Sequence, residues 1–264
     1  MRKYRAIFRT ALQNSVTWRG AFWFYIGLNF LPLIGYYFLW TSIFQNRSSA
    51  AGFSYDALLT YAVVAMIFSR ITWVSPEYGV MQNIREGTLA KYLVQPMSYF
   101  GYFWVSRLAF RTFALAITLP FTGLVVYLLR DHLLLPSAGW QWWGIAAAIP
   151  IAFCLQFLFG MTLGLLSFWI LEARYFQFFK ETALAFLGGM VLPFSFFPDA
   201  AQRLFELLPF RFLASFPVEV YLGRIPVERV LPGLLIGLAW VAGLQIITSL
   251  MWRRGLRRFV AFGN

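Results

Sequence analysis

The sequence predicts an all-α membrane protein with six transmembrane helices and an N-terminal amphipathic helix at the membrane interface. Hydrophobic residues make up 60% of the 264 residues and charged residues only 12%, with a mean hydropathy of +0.67. Soluble domains are about half apolar and about one quarter charged, so this composition disfavours a soluble domain. The aromatic fraction of 20% is typical of Trp and Tyr belts at bilayer interfaces. We therefore treat residues 1–264 as one polytopic membrane domain.

The N-terminal segment, 1–19, predicts the amphipathic helix. Tyr4, Phe8 and Leu12 recur at helical spacing, and the basic residues fall largely on other sides of the helix, at Arg2, Arg5 and Arg9. Such a helix can lie flat in the membrane interface with its cations facing anionic lipid. The alternative is a basic stretch that only fixes the topology of the first span.

Six runs with few or no charges predict the membrane spans, because about 20 apolar residues cross ~30 Å of hydrocarbon as a helix. The predicted spans are 20–46, 55–75, 112–129, 144–171, 182–198 and 230–252. The uncharged run from Leu133 to Leu171 is too long for one span. We therefore expect its first part, LLLPSAGWQWW, at an interface.

The distribution of Lys and Arg predicts the orientation. With both termini cytoplasmic, the inside segments carry 16 of the 22 basic residues and the outside segments carry six. Cytoplasmic loops are enriched in Lys and Arg, so this asymmetry favours that orientation in a bacterial inner membrane. The net charge of +12 is spread over four inside segments, which disfavours a nucleic-acid partner.

No catalytic or cofactor motif is evident. The sequence has no G-x-x-x-x-G-K-[ST] and no H-E-x-x-H, so the chain is not expected to bind ATP, Mg or another cofactor itself. The single histidine, His132, falls in a short outside loop and is expected to be solvated rather than catalytic. Cys154 is the only cysteine, which excludes an intrachain disulfide.

A small group of charges flanks the fourth and fifth spans, at Glu172, Arg174, Lys180 and Glu181. Its simplest interpretation is local ion pairing at the cytoplasmic interface, and the alternative is a substrate or proton site. No predicted span carries a central Asp or Glu, which disfavours a proton-coupled pump.

A polar, basic segment, 77–107, separates the second and third spans, and Pro76 ends the second span. Apolar and charged residues alternate in a way that predicts one short amphipathic helix with Gly87 as a weak point: Ile84, Leu89, Tyr92 and Leu93 against Arg85, Glu86 and Lys91. The whole predicted cytoplasmic segment, 76–111, is long for a passive connector, since most connections are roughly 4–6 residues. A passive connector remains the alternative.

Two stretches resemble permease subunits of ABC-2-type exporters, nearest to the subgroup of antibiotic and viologen export permeases. The first is IREGTLAKYLVQPMSYF at 84–100, and the second is GGMVLPFSFFPDAAQRLFELLPFRFLASFPVEVYLGRI at 188–225. Each pattern is loose, but their order, their spacing and the six-span layout agree with that family over nearly the whole chain.

The resemblance implies an ABC-2-type exporter permease fold that lacks its own motor. It implies a second permease subunit, the same chain or a paralogue, and separate ATP-binding cassette subunits that bind ATP and Mg. The coupling residues would be Ile84, Arg85, Glu86, Gly87, Thr88, Leu89, Lys91 and Leu93. Our hypothesis seats Ile84, Leu89 and Leu93 in a groove of the ATPase. The segment 199–229 would form external or re-entrant helices. Pro193, Pro198, Pro209 and Pro217 disfavour one continuous helix from 193 onward.

The substrate class that fits aromatic-rich spans is amphiphilic, drug-like, lipid-like or otherwise hydrophobic. Two other function classes stay open at this point. A stand-alone secondary transporter or channel would need ionisable residues within the spans, and a membrane enzyme subunit would need a catalytic or cofactor cluster. An adjacent gene for a P-loop ATPase would favour the exporter.

Overall fold

The computed structural model describes residues 2–15, 19–170 and 175–259, and these residues are almost entirely helical. The helices are α1 Arg2–Ser15, α2 Arg19–Phe44, α3 Tyr55–Thr72, α4 Glu77–Arg85, α5 Leu89–Leu93, α6 Tyr99–Leu129, α7 Gly139–Leu165, α8 Tyr175–Leu187, α9 Asp199–Leu207, α10 Ser215–Tyr221 and α11 Val227–Leu256. Within the described ranges there is no strand, only an isolated bridge between Ala50 and Phe53. The predicted all-α class is confirmed.

Four helical stretches among the described residues are long and apolar enough to cross a membrane: Tyr55–Arg85, Tyr99–His132, Gly139–Phe168 and Val227–Leu256. A shorter apolar helix covers Leu31–Phe44. A helix satisfies its backbone polar groups internally, which is what a hydrocarbon environment demands. The predicted multi-pass helical membrane fold is confirmed, with four candidate spans and one shorter apolar helix among the described residues.

The fifth predicted span, 182–198, is helical only in its first part. α8 ends at Leu187, and Gly189 then adopts a φ of +74°, the left-handed conformation that terminates helices. The Tyr61 hydroxyl of α3 donates a 2.6 Å hydrogen bond to the Gly189 carbonyl and so holds this turn. Pro193 follows and starts a short 3-10 turn at Phe194–Phe196. Glycine and proline together therefore end the helix eleven residues before the predicted bound.

α7 is the central helix and packs against α3, α4, α10 and α11. Gly160 and Gly164 lie four residues apart on the side of α7 that faces α4. A Cβ at Gly160 would lie 2.5 Å from the Pro76 side chain, and a Cβ at Gly164 would lie 2.6 Å from the Val80 Cβ. Small residues at this spacing let helix backbones approach closely in membranes. The two glycines thus seat α4 directly on the core.

The fold gathers the basic segments at one end of the bundle. We call the region of α1, α4, α5 and the last turns of α11 the basic end. There α1 packs along α6, the Lys3 ammonium donates to the Pro96 carbonyl, and the Tyr99 ring stacks on Trp252 with centroids 5.0 Å apart. The opposite end comprises the loop before α3, the first turn of α3, residues 130–134 and residues 188–226. His132 contacts Asp56 there at 3.0 Å, and Arg224 donates a 2.5 Å hydrogen bond to the Gly52 carbonyl.

Candidate coupling site

The segment predicted to couple to an ATPase forms two short helices rather than one. α4 ends at Arg85 and α5 begins at Leu89. Between them Gly87 has a φ of +71°, a conformation that glycine adopts without the penalty a side chain imposes. The prediction of one continuous helix through Gly87 is therefore wrong, and the weak point is a complete break.

The break decides which side chains are available to a partner. Ile84 is 8% exposed and Leu89 is fully buried, and both belong to the core cluster that contains Tyr99 and Phe103. The hypothesis that these two side chains anchor an ATPase groove is wrong, because the core of the chain itself already covers both of them. Leu93 is 45% exposed and remains available.

Charged and amphipathic side chains make up the exposed side of the segment. Four of them line a cavity of about 370 Å³ together with Met81, and we call these four the coupling face: Tyr78, Gln82, Arg85 and Glu86. Gln82 Nε2 donates a 2.9 Å hydrogen bond to Glu86 Oε1 across one helical turn. On α5, Lys91 is exposed, and Val94 just beyond it is 84% exposed. Gly87 and Thr88 are half-buried in the turn.

An aromatic and amide network fixes this turn to two long helices. Thr88 Oγ1 donates to Asn83 Oδ1 at 3.0 Å, and Asn83 Nδ2 donates to the Tyr99 hydroxyl at 3.1 Å. Tyr99 contacts Tyr92 of α5, with ring centroids 5.5 Å apart, and stacks on Trp252 of α11. α4, α5, α6 and α11 are therefore joined through one tyrosine.

A buried ion pair ties the start of the segment to α8. Lys180 Nζ lies 2.6 Å from Glu77 Oε1, and the side chains are 4% and 0% exposed. The same ammonium lies 3.0 Å from Glu181 Oε1. Ser75 Oγ donates to Glu77 Oε1 at 2.6 Å, and Trp73 Nε1 donates to Glu181 Oε2 at 3.3 Å. One cation thus bridges two carboxylates from different parts of the chain.

This pair is the element that sequence reasoning missed. Lys180 and Glu181 do pair locally as expected, whereas Glu172 and Arg174 lie outside the described residues. Sequence analysis placed Glu77 only at the start of the polar, basic segment 77–107 and gave it no partner. It is separated from Lys180 by 103 positions. No short-range pattern joins the two. The one available signal was the glycine pair on α7, which predicts that some element packs there closely.

The opposite end is built from short pieces, as the prolines predicted. Residues 199–229 form α9, a 3-10 turn at Pro209–Leu213 and α10 before α11 begins. Arg224 lies over the Phe53 ring, 3.3 Å from its centroid, and so closes this end against the loop before α3.

Glu219 of α10 is the charged group most affected by its surroundings at the opposite end. Burial raises its pKa to about 7, and the nearby Arg211 and Arg224 guanidinium groups oppose that rise. Arg211 Nη2 lies 3.6 Å from Glu219 Oε2, with side chains 16% and 21% exposed. The same burial lowers the pKa of Arg224.

The comparison with protein families identifies the class. A family model described as ABC-2 family transporter protein matches residues 30–263, which is most of the chain. No curated protein and no solved structure shows significant similarity to this chain. The match agrees with the all-helical multi-pass fold and makes the chain a non-catalytic membrane permease component of an ABC transporter. The chain belongs to the ABC-2 transporter family.

Proposed function

We propose that this chain is the permease subunit of an ATP-driven exporter of the antibiotic and viologen export type. It moves an amphiphilic, drug-like, lipid-like or other hydrophobic substrate outward across a bacterial inner membrane. Separate ATPase subunits bind ATP and Mg, and a second permease, a copy or a paralogue, completes the pathway. The observation that carries the proposal is the segment 77–94, which is charged on its exposed side and packed into the bundle on the other.

The packing supports a coupling role for this segment. α4 lies on α7 through Gly164, and Glu77 is ion-paired with α8. The Asn83–Tyr99–Trp252 contacts reach α6 and α11. A displacement of the coupling face by an ATPase therefore moves α6, α7, α8 and α11 together, because close-packed interiors transmit displacement rather than absorb it.

The charge distribution supports the orientation. The fold brings together α1, the segment 77–94 and the C-terminal part of α11, which sequence analysis assigned to one side. With both termini cytoplasmic, a cysteine at position 86 is expected to react with an impermeant maleimide only from the inside, and one at position 200 only from the outside. Both measurements use a Cys154→Ala background. The reverse pattern would overturn the orientation.

Co-purification with a P-loop ATPase, taken from an adjacent gene where one is present, tests the proposal. Two single variants, Arg85→Glu and Glu86→Arg, each reverse one exposed charge on the coupling face and leave the buried side unchanged. We expect roughly tenfold weaker capture of the ATPase, about 1.4 kcal/mol, at equal membrane expression. Leu89→Asp is a poor choice, since a charge at that buried position would damage the fold itself.

Arg203→Glu is the matched control, because Arg203 is an exposed cation on α9 at the opposite end. It should leave capture unchanged. Equal capture by wild type, the control and both coupling-face variants would reduce the segment to a connector.

A second candidate, a stand-alone ion-coupled transporter, is favoured by one observation, the buried Glu77 and Lys180 within and beside an apolar helical stretch. Buried ionisable groups often mark ion pathways in membrane proteins. Transport by the purified chain in vesicles, driven by a proton gradient and without ATP, would select this candidate over the exporter.

A further inference from the structure

The ion pair between Glu77 and Lys180 is unusual in its degree of burial. Both side chains are almost completely covered, and the carboxylate lies at the first residue of α4 while the ammonium belongs to α8. Removing two charges from water is expensive, and a well-packed apolar pair of similar volume is often as stable. Stability alone therefore does not explain why charges occupy this contact.

The surroundings hold the carboxylate in one place. Glu77 Oε1 accepts from both Ser75 Oγ and Lys180 Nζ, each at 2.6 Å. Glu77 Oε2 has no hydrogen-bond partner within the described part of the chain and faces Gly160, where an added Cβ would lie 2.5 Å from it. The missing side chain at Gly160 gives the carboxylate its place against α7, and Ser75 and Lys180 hold it there through Oε1.

α8 connects the ion pair to the Gly189 turn at the opposite end. The helix extends from Tyr175 to Leu187, and the part from Lys180 to Leu187 is roughly 10 Å long at 1.5 Å per residue. It ends in the Gly189 turn that Tyr61 holds, and the Ser215 amide donates to the Gly188 carbonyl at 2.9 Å. The middle of α8, at Lys180, is thus tied to the coupling segment, and its C-terminal end is tied to the elements that close the opposite end.

We propose that Glu77 and Lys180 are positioning residues that fasten the coupling segment to α8, so that displacement of the segment passes along α8 to the opposite end. The inference rests on the proposed function for its biological role. The contact that joins the coupling segment to α8 lies within this chain, so its effect is measurable without an ATPase.

The test is a distance measurement by pulsed electron paramagnetic resonance in lipid nanodiscs. Spin labels are placed at Glu86→Cys and Thr182→Cys, both exposed positions, in a Cys154→Ala background. The double variant Glu77→Gln with Lys180→Met removes the charges and keeps the volumes close to those of the native pair. With the native pair we expect a single, narrow distribution of distances between the two labels. In the double variant we expect a broader distribution. A distribution as narrow as that of the native pair would overturn the proposal.

The matched control is Thr162→Val with Thr248→Val, which removes a partly buried 2.8 Å hydrogen bond between α7 and α11. It should leave the distance narrow. If the control broadens the distribution equally, the effect is general loosening and the proposal fails.

A second readout uses the complex with the ATPase in vesicles. The rate at which an impermeant maleimide labels Leu204→Cys on α9 should change with ATP when the pair is native. The double variant should hydrolyse ATP and show no such change. An unaltered ATP response in the double variant would contradict the proposal. If the ATPase does not bind even the native chain, the proposed function fails, and the spin-label distances still decide this inference.

Discussion

The two ends of the bundle are held by contacts of different character. At the basic end, Glu77 and Lys180 are in direct contact at 2.6 Å with side chains at most 4% exposed. At the opposite end, Arg211 and Glu219 are 3.6 Å apart and partly exposed, and His132 and Asp56 are about half exposed. Water can replace the second kind of contact and cannot easily replace the first. The ion pair of the basic end is therefore harder to replace with water than the ion pairs of the opposite end.

Removal of one partner of the buried pair should give the largest effect. Lys180→Met leaves the Glu77 carboxylate buried without its cation, which should lower the free energy of unfolding by about 3–5 kcal/mol. Glu77→Gln with Lys180→Met should restore stability close to wild type. Thermal unfolding in detergent, followed by tryptophan fluorescence, measures both.

Arg130→Met makes a comparable change at the opposite end, where the Arg130–Asp131 pair is 61% and 84% exposed. It should cost at most about 1 kcal/mol, as surface pairs do. If Lys180→Met is no more costly than Arg130→Met, the contrast between the two ends is wrong.

The second-largest loss of stability is expected from a side chain added between α4 and α7. Gly160→Ala introduces a Cβ within 2.5 Å of both Pro76 and Glu77, and the resulting shift should cost about 1–3 kcal/mol. Gly243→Ala on α11 is the matched control, since nothing lies within 4 Å of its added Cβ. That variant should be neutral or more stable by about 0.4–1 kcal/mol. Equal unfolding temperatures for the two variants would show that α4 is not seated tightly.

These contacts show what the sequence could and could not predict. Composition and uncharged runs sufficed for the helical membrane class, because lipid demands long apolar helices. The prolines correctly predicted that residues 193–226 do not form one continuous helix. The end of α8 at Leu187 was missed, since it depends on the Gly189 turn and on Tyr61, which is 128 positions away.

The conformation of the segment 77–94 was predicted only in part, and its coupling role stays a prediction. Alternation of apolar and charged residues predicted a helix there, but the same pattern fits a helix that faces a partner and a helix that faces its own core. α7 decides between the two, because Gly160 and Gly164 bring α4 close enough to bury Ile84. The Glu77–Lys180 contact joins residues 103 positions apart, and no local pattern encodes it.

A smaller effect is expected from the contact that closes the opposite end. Arg224→Ala removes the cation over Phe53 and the hydrogen bond to the Gly52 carbonyl. Cation–π contacts and single hydrogen bonds each contribute on the order of 1 kcal/mol, so global stability should fall only slightly. Hydrogen exchange should accelerate at residues 50–54, measured by mass spectrometry. Arg229→Ala, an exposed arginine in the first turn of α11, should leave that exchange unchanged, and equal rates in both variants would contradict the closure.

The smallest effect concerns the pH dependence of the opposite end. Burial raises the pKa of Glu219 from 4.5 to about 7, against the opposing influence of Arg211 and Arg224. The folded state therefore binds this proton more tightly than the unfolded state, so the stabilisation is fully present below about pH 4.5 and is lost as the pH rises toward 7. The side chain is 21% exposed, which lets solvent screen the charge and keeps the loss small. Glu219→Gln retains a neutral side chain at every pH, so its Tm should fall less than that of wild type between pH 4.5 and 8. Other titrating groups contribute equally to both proteins and cancel in the difference, so parallel Tm curves would show that Glu219 is ionised in the folded protein throughout this range.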